Sequence, residues 1–460
     1  MVRSRRPEGW LSMAVGLALG AGVFVPMADA EELRLTLAEA RVVSARLLGE
    51  GRAEEALVMA NGVLMGAPGD PAALMLKARA LRDLGRPAEA LGAAKSAWSG
   101  ATDPRERFFA AMTMAQTRSS AGNTGIAQYW LRHAAQIAPE EELRNAAIRD
   151  FRQVRRMTPW RLSIDLTMDP SDNLNGAPKT NTFTFAGLPF INPSAVPLSG
   201  LRYGAGVDYV YRIPTGARQR LNLGVSLDME RVRFSKSARD KVPGIRDGDY
   251  RQDVLRLSLG HEMQGEQGRW LGSAALSLQR HWLAGETLSD AARLDFSYGR
   301  AVAPGLVLGG RIGLESERRW DLRARDNRTA EIGANLTRRF DHGALRLDLA
   351  FADTDSEASS IARQTRRAML SYGMAAPVKG MLPRLSVSYE TVDYDQGPSS
   401  FWTDPREDRQ WVLSLDVTLP DLDYYGFAPE VGVSFRDRQS NYTIYETQGT
   451  DLRLGLRSVF

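Results

Sequence analysis

From Trp160 to the last residue, apolar and polar side chains alternate with a period of two. Leu221, Leu223, Val225, Leu227 and Met229 interleave with Asn222, Gly224, Ser226, Asp228 and Glu230. Leu345, Leu347, Leu349 and Phe351 interleave with Arg346, Asp348 and Ala350, and Trp411, Leu413, Leu415, Val417 and Leu419 with Val412, Ser414, Asp416 and Thr418. Such alternation gives each strand one apolar and one polar face. About fourteen segments of this kind can be marked. They run over 160–168, 203–213, 219–233, 251–263, 269–283, 290–301, 305–319, 328–340, 344–353, 364–375, 383–394, 409–419, 427–438 and 450–460.

The connections between these segments alternate in length. Pro214–Arg218, Gln264–Gly268, Val302–Pro304, Asp341–Gly343, Ala376–Leu382 and Pro420–Gly426 are short. Asp169–Arg202, Phe234–Tyr250 and Asp395–Asp408 are long, while Ala284–Ser289 is brief although it falls on the long side. A membrane barrel has short periplasmic turns and longer outer loops; a soluble sandwich needs no such parity. The ending agrees with this. Leu452, Leu454 and Leu456 alternate with Arg453, Gly455 and Arg457, and the chain stops on Phe460, the usual form of a barrel-closing strand. Ser458 departs from it, standing where such strands more often carry an aromatic residue.

Ahead of Trp160 the period is helical and Ala is abundant. Gly51-Arg-Ala-Glu-Glu-Ala-Leu57 and Gly85-Arg-Pro-Ala-Glu-Ala-Leu91 are offset by 34 residues, the period of the tetratricopeptide repeat. Gly51 with Ala56, Gly85 with Ala90, and Gly122 with Ala127 mark three units, the third looser than the others. The glycines end the first helix of each pair, and the small residues let paired helices approach closely. Pro68 and Pro139 close the first and third units. Stacked pairs form a concave groove. A last helix is expected through Leu143, Ala147, Ile148, Phe151 and Val154. The fold class expected is an α-solenoid domain followed by a transmembrane antiparallel β-barrel of about fourteen strands.

The first thirty residues read as a secretory signal. Arg3, Arg5 and Arg6 precede an apolar core from Leu11 to Met27, and Ala28-Asp29-Ala30 offers cleavage after Ala30. A membrane anchor is the alternative; the core is short and no stop-transfer pattern follows. The expected division is 1–30 signal peptide, 31–157 periplasmic repeat domain and 158–460 outer-membrane barrel. Cysteine is absent, which excludes disulfides and zinc–thiolate sites. The formal net charge of +4 comes with no Lys/Arg block interleaved with aromatics, so no nucleic-acid partner is expected.

No cluster argues for catalysis, a metal or a cofactor. The four histidines, His133, His261, His281 and His342, lack His-x-x-x-His spacing, and no phosphate-binding loop or dinucleotide fingerprint is present. His261 and His281 fall on neighbouring strands and leave a Ser–His hydrolase in the barrel wall conceivable. Histidines at the membrane interface or in the lumen are the plainer reading. Arg256, Arg311 and Arg346 face the lumen and either form a binding ladder or pair with carboxylates such as Asp228, Glu315 and Asp348. Arg280 falls on the apolar register beside Trp282, where a rim position lets it snorkel.

The barrel opens with Asp169-Pro-Ser-Asp-Asn-Leu-Asn175, a motif carrying Ser171, Asp172, Asn173 and Asn175. Then come Thr182-Phe-Thr-Phe-Ala-Gly-Leu-Pro-Phe190, Ser199-Gly200 and a strand ending Tyr211-Arg-Ile-Pro214. Near the end come Arg406-Glu-Asp-Arg409, Gly426-Phe-Ala-Pro429, Ser440-Asn441 and the terminal Phe460. In this order, behind a repeat domain, these motifs resemble the surface lipoprotein assembly modifier family, also called type XI secretion proteins. The resemblance implies an outer-membrane translocator that exports or displays client proteins, either surface lipoproteins or soluble haem- and metal-scavenging proteins. It implies a helical domain that receives the client or its escort. Partners expected on this reading are the client, periplasmic chaperones, the barrel-assembly machinery and outer-membrane lipids. A polysaccharide-export porin with a periplasmic repeat domain is the alternative; those usually carry many more repeats.

Overall fold

The computed structural model describes residues 35–459, apart from 186–187, 193–194 and 400–401. The signal segment with Ala30, part of the Thr182–Phe190 motif, and Phe460 lie outside the described residues.

Seven helices come first: α1 (Leu37–Gly49), α2 (Ala53–Gly66), α3 (Pro71–Asp83), α4 (Pro87–Gly100), α5 (Pro104–Ser120), α6 (Thr124–Ile137) and α7 (Glu141–Met157). Gly51, Gly85 and Gly122 each turn the chain at φ 77°, 72° and 78°, a conformation glycine adopts without strain. The residue after each glycine donates back to a carbonyl five positions earlier: Arg52 to Leu47 at 2.9 Å, Arg86 to Leu81 at 2.8 Å, Asn123 to Arg118 at 2.9 Å. Ala56, Ala90 and Ala127 are fully buried where paired helices meet. The 34-residue offset is therefore a repeat of cap and contact. Helix α7 buries Ala147, Ile148, Phe151 and Val154, the face expected of it.

The barrel strands are β1 (Trp160–Ser171), β4 (Gly200–Gly216), β5 (Gln219–Phe234), β6 (Gln252–Gln264), β7 (Trp270–Leu283), β8 (Glu286–Ala303) and β9 (Leu306–Arg319), then β10 (Asn327–Phe340), β11 (Gly343–Ser356), β12 (Arg363–Met374), β13 (Leu382–Tyr394), β14 (Glu407–Thr418), β15 (Phe427–Ser440) and β16 (Thr447–Ser458). They close into one antiparallel barrel in sequential order, with β1 beside both β4 and β16. Strands β2 (Thr182–Phe185) and β3 (Leu188–Ile191) form a separate hairpin in the β1–β4 loop, which the alternation did not mark.

One end of the barrel carries short turns such as 217–218 and 304–305; the other carries long loops such as 172–199 and 235–251. The brief connection on the long-loop side is tighter than expected. Strand β8 starts at Glu286 because Ala284 (φ 56°) and Gly285 (φ 89°) turn the chain at once. On the outer face, Leu162, Ile164, Leu166 and Met168 of β1, and Leu276 and Leu278 of β7, stand exposed in one register. The inner face is charged and mostly paired. Arg293 meets Asp295, Glu315 and Glu331 at 2.9, 3.6 and 3.4 Å, Arg311 meets Glu331 at 2.6 Å, and Arg346 meets Asp348 at 2.6 Å. These arginines hold the wall's own carboxylates, which argues against a free binding ladder.

Candidate functional site

The ring closes unevenly. Strand β1 pairs with β4 along its whole length, from Trp160↔Tyr211 to Ser171↔Gly200, and β16 pairs with β15 from Ser458↔Phe427 to Thr447↔Arg438. Between β1 and β16 the register joins only Thr167↔Gly455, Met168↔Leu454 and Ser171↔Asp451. These pairs lie toward the long-loop end. Toward the short-turn end, Trp160–Leu166 has no ladder partner on β16 among the described residues. Residues that weaken strand pairing sit at this seam. Pro170 brings no N–H, and Gly449 and Gly455 bring no side chain to pack. Unpaired strand edges are costly in hydrocarbon and prone to accept another strand.

Both ends of the seam are bridged by elements outside the ladder. At the long-loop end the β1–β4 loop reaches over the β15–β16 loop. Lys179 N donates to Glu446 O at 2.8 Å, and Lys179 Nζ meets Asp437 at 2.5 Å. The barrel-opening motif shapes that loop. Asn173 binds Ala177 twice, accepting from its N–H and donating to its carbonyl, each at 2.8 Å. Asn175 joins the two legs of the loop through Val196 O and Leu198 N, both at 3.0 Å. Ser171 Oγ accepts from Asn173 N at 3.3 Å. Leu174 and Leu198 pack with Val232, Phe234 and Ala238 in a small core beneath the loops. Asp172 lies near the seam: a Cβ built on Gly449 would stand 3.7 Å from its Oδ1.

At the short-turn end, helix α6 spans the seam. On the β1 side, Gln128 Nε2 donates to Thr158 Oγ1 at 2.9 Å, and the Trp160 ring lies against Gly125, where a Cβ would come within 2.6 Å of it. On the β16 side, Arg132 donates to Ser458 Oγ at 3.0 Å and to Tyr425 O at 2.6 Å. Val459 packs into the α5–α7 core, and its N–H donates to Gly426 O at 2.9 Å. The β14–β15 turn completes the joint. Gln136 Oε1 accepts from Tyr425 N at 2.8 Å, His133 Nδ1 lies 2.6 Å from the Tyr425 hydroxyl, and Arg144 pairs with Asp423 at 2.5 Å.

The electrostatics of this joint follow from burial. The Arg132 guanidinium is pulled down to about 10, first by burial and then by the cation of Arg155, so it stays charged at neutral pH. Burial, aided by Arg107, holds the His133 imidazole below its ordinary value.

The opening motif and Leu454 of the closing strand thus meet at one seam, whereas Gly51, Gly85 and Gly122 cap helices of the repeat domain and Leu452 and Leu456 lie outside the seam register. Sequence reasoning missed the α6 joint; the one local hint is the aromatic run Tyr129-Trp130 with His133 on a repeat helix. The structure does not bring His261 and His281 together. His261 stands opposite Ala274 and His281 opposite Val254, at opposite ends of the β6–β7 ladder. Arg280 is paired, with Asp290 at 2.6 Å.

Residues 47–115 match a tetratricopeptide repeat model, and residues 339–460 match the model of the surface lipoprotein assembly modifier, which covers strands β11–β16. No curated protein sequence matches the chain. Among solved structures, a loop-deletion mutant of OmpT, an outer membrane protein of Vibrio cholerae, is 8% identical, with 65% of this chain and 99% of that chain covered at a TM-score of 0.35. Acinetobacter baumannii OccAB4 is 10% identical, with 65% and 96% covered at 0.33. The Yersinia enterocolitica type III secretion translocator chaperone SycD is 13% identical, with 27% and 88% covered at 0.23. An apolar outer face on a closed antiparallel barrel suits a bilayer spanned by strands, and the family match makes that bilayer an outer membrane. The chain is thus similar to the surface lipoprotein assembly modifiers over the last six barrel strands, behind a stretch similar to tetratricopeptide repeats.

Proposed function

We propose that this protein is an outer-membrane translocator, and not an enzyme, that carries surface lipoproteins or soluble haem- or metal-scavenging proteins out of the cell. Its short-turn end and helical domain face the periplasm, and its long loops face outward. The observation that carries the reading is the half-zipped β1–β16 seam, held at both ends by elements outside the barrel ladder. A seam of this kind can open without breaking a full ladder, and an extended client segment can pair with the edge it exposes. The repeat groove receives the client, with chaperones as escorts, while the barrel-assembly machinery inserts the barrel among outer-membrane lipids. Client folding outside supplies the driving force.

The test uses the absence of cysteine. The protein is co-expressed with its candidate client in a host lacking the system, and surface or medium levels of the client are measured. Thr167→Cys with Gly455→Cys places a disulfide across a register pair, where Cα atoms stand about 4.5–5.5 Å apart. Export is expected with the parent chain, to be lost when the pair is oxidised, and to return with reductant. Undiminished export through the oxidised barrel removes the seam from the route. No export with the parent chain removes the translocator reading.

A further inference from the structure

On the lipid-facing register, three neighbouring strands put Arg280, Asp290 and Arg318 side by side; the ladder pairs Arg280 with Asp290 and Asp290 with Arg318. Adjacent strands lie about 4.8 Å apart, so the two arginines stand roughly 10 Å from each other at the backbone. Asp290 is already engaged by Arg280 at 2.6 and 2.9 Å and by Trp320 Nε1 at 3.0 Å. The Arg318 guanidinium lies over the Trp320 ring at 5.0 Å, with Arg323 over the same ring at 5.2 Å, and Arg318 forms no ion pair among the described residues. Arg323 has its own partner in Asp326 at 3.9 Å, so one carboxylate, Asp290, is flanked by the two arginines Arg280 and Arg318, close to the long-loop rim.

Below this row the same face turns apolar. Leu255, Leu257, Leu278 and Ala292 line a groove of about 570 Å³ whose upper edge is Arg280, Asp290, Arg318 and Trp282, two arginines to one carboxylate. An apolar floor under a cationic edge is the negative image of an anionic amphiphile. The occupant has to come from the bilayer, because the groove opens on the lipid side. Arginine, with its planar fork of donors, suits a phosphate better than a lone carboxylate. Near the rim a spare arginine costs little, so the row is tolerated empty and strengthened by an anion.

We propose that this groove binds a phosphorylated glycolipid of the outer leaflet, with an acyl chain along Leu255, Leu257 and Leu278 and a phosphate on Arg280 and Arg318. The proposal rests on the orientation argued above, with the long loops outward, and is independent of export.

The experiment uses the full chain, purified in detergent, with diphosphoryl lipid A as the probe and native mass spectrometry as the readout. The same lipid stripped of its phosphates, and inorganic phosphate as a competitor, separate a lipid site from a plain anion site. Diphosphoryl lipid A is expected to remain bound and the dephosphorylated lipid to be lost. Arg318→Ala is expected to weaken retention about tenfold, as loss of a charge-assisted contact does. Arg338→Ala, on the same face at the opposite rim, leaves retention unchanged. Equal retention of the dephosphorylated lipid by the parent chain overturns the proposal with no variant needed. So does displacement by inorganic phosphate at the concentration of the lipid, or parent-like binding by a heat-modifiable, folded Arg318→Ala barrel.

Discussion

Tyr425 shows how much a single residue carries here. Its φ of 52° is in the left-handed region, which costs a non-glycine residue roughly 1–2 kcal/mol. Three groups of α6 hold it there: Gln136 on its N–H, Arg132 on its carbonyl, and His133 beside its hydroxyl. Because the folded state keeps His133 below its ordinary value, the joint is strongest with a neutral imidazole. Its contribution is fully present above about pH 6.5, the unfolded value, and is lost as pH falls through the lower folded value. Release of the helical domain, followed by limited proteolysis after residue 157, is therefore expected to rise on acidification, and His133→Gln is expected to flatten that rise. A pH-independent parent chain contradicts this assignment. Little of this was legible in the sequence, since the contact joins residues 292 apart and its one local trace is the aromatic run Tyr129-Trp130 with His133. The opening motif was legible: Asn173 makes the backbone bonds that an Asn in a turn is expected to make.

Among the elements, helices and strands were read more fully than the joints between them. Period-two alternation located every barrel strand because both faces of each are specified, one by lipid and one by a charged lumen. The early start of β8 escaped, since Ala284 in a left-handed turn has no sequence signature of the Asn-Gly kind. The hairpin of β2 and β3 escaped because each strand is too short for alternation to register. Helix α6 was found as a repeat helix, but not as a brace across β1 and β16. The close approach of Trp160 to Gly125 makes that role testable. A side chain at 125 collides with the indole, and overpacking of this kind costs about 1–3 kcal/mol. Gly125→Val should therefore leave the barrel closed while increasing amide exchange in Trp160–Leu166. Unchanged exchange there would mean that α6 does not stabilise the seam.

At the scale of the whole molecule, the parity of loop lengths foretold the closed barrel with short turns at one end and long loops at the other. What it did not foretell is that the two ends of the barrel are clasped differently. A loop crosses the seam at one end and a folded domain at the other. Arginine–carboxylate pairs around the lumen leave a wall whose charges are largely mutual.

The brace has a kinetic consequence. Arg132 and Ser458 are 326 residues apart, so closing the ring is among the most non-local events in the chain. Searching for such a contact is slow when the two ends diffuse freely. Helix α6 is made before any strand, and its own repeat contacts let it fold first. It then stands beside β1 as a preformed docking surface for the last strand to arrive, and acts as a jig built into the chain. Without residues 31–157 the barrel should still close, but more slowly, as followed by the appearance of its heat-modifiable form during refolding into detergent. Equal closing rates for the full and shortened chains would show that the helices meet β16 only after the ring is complete.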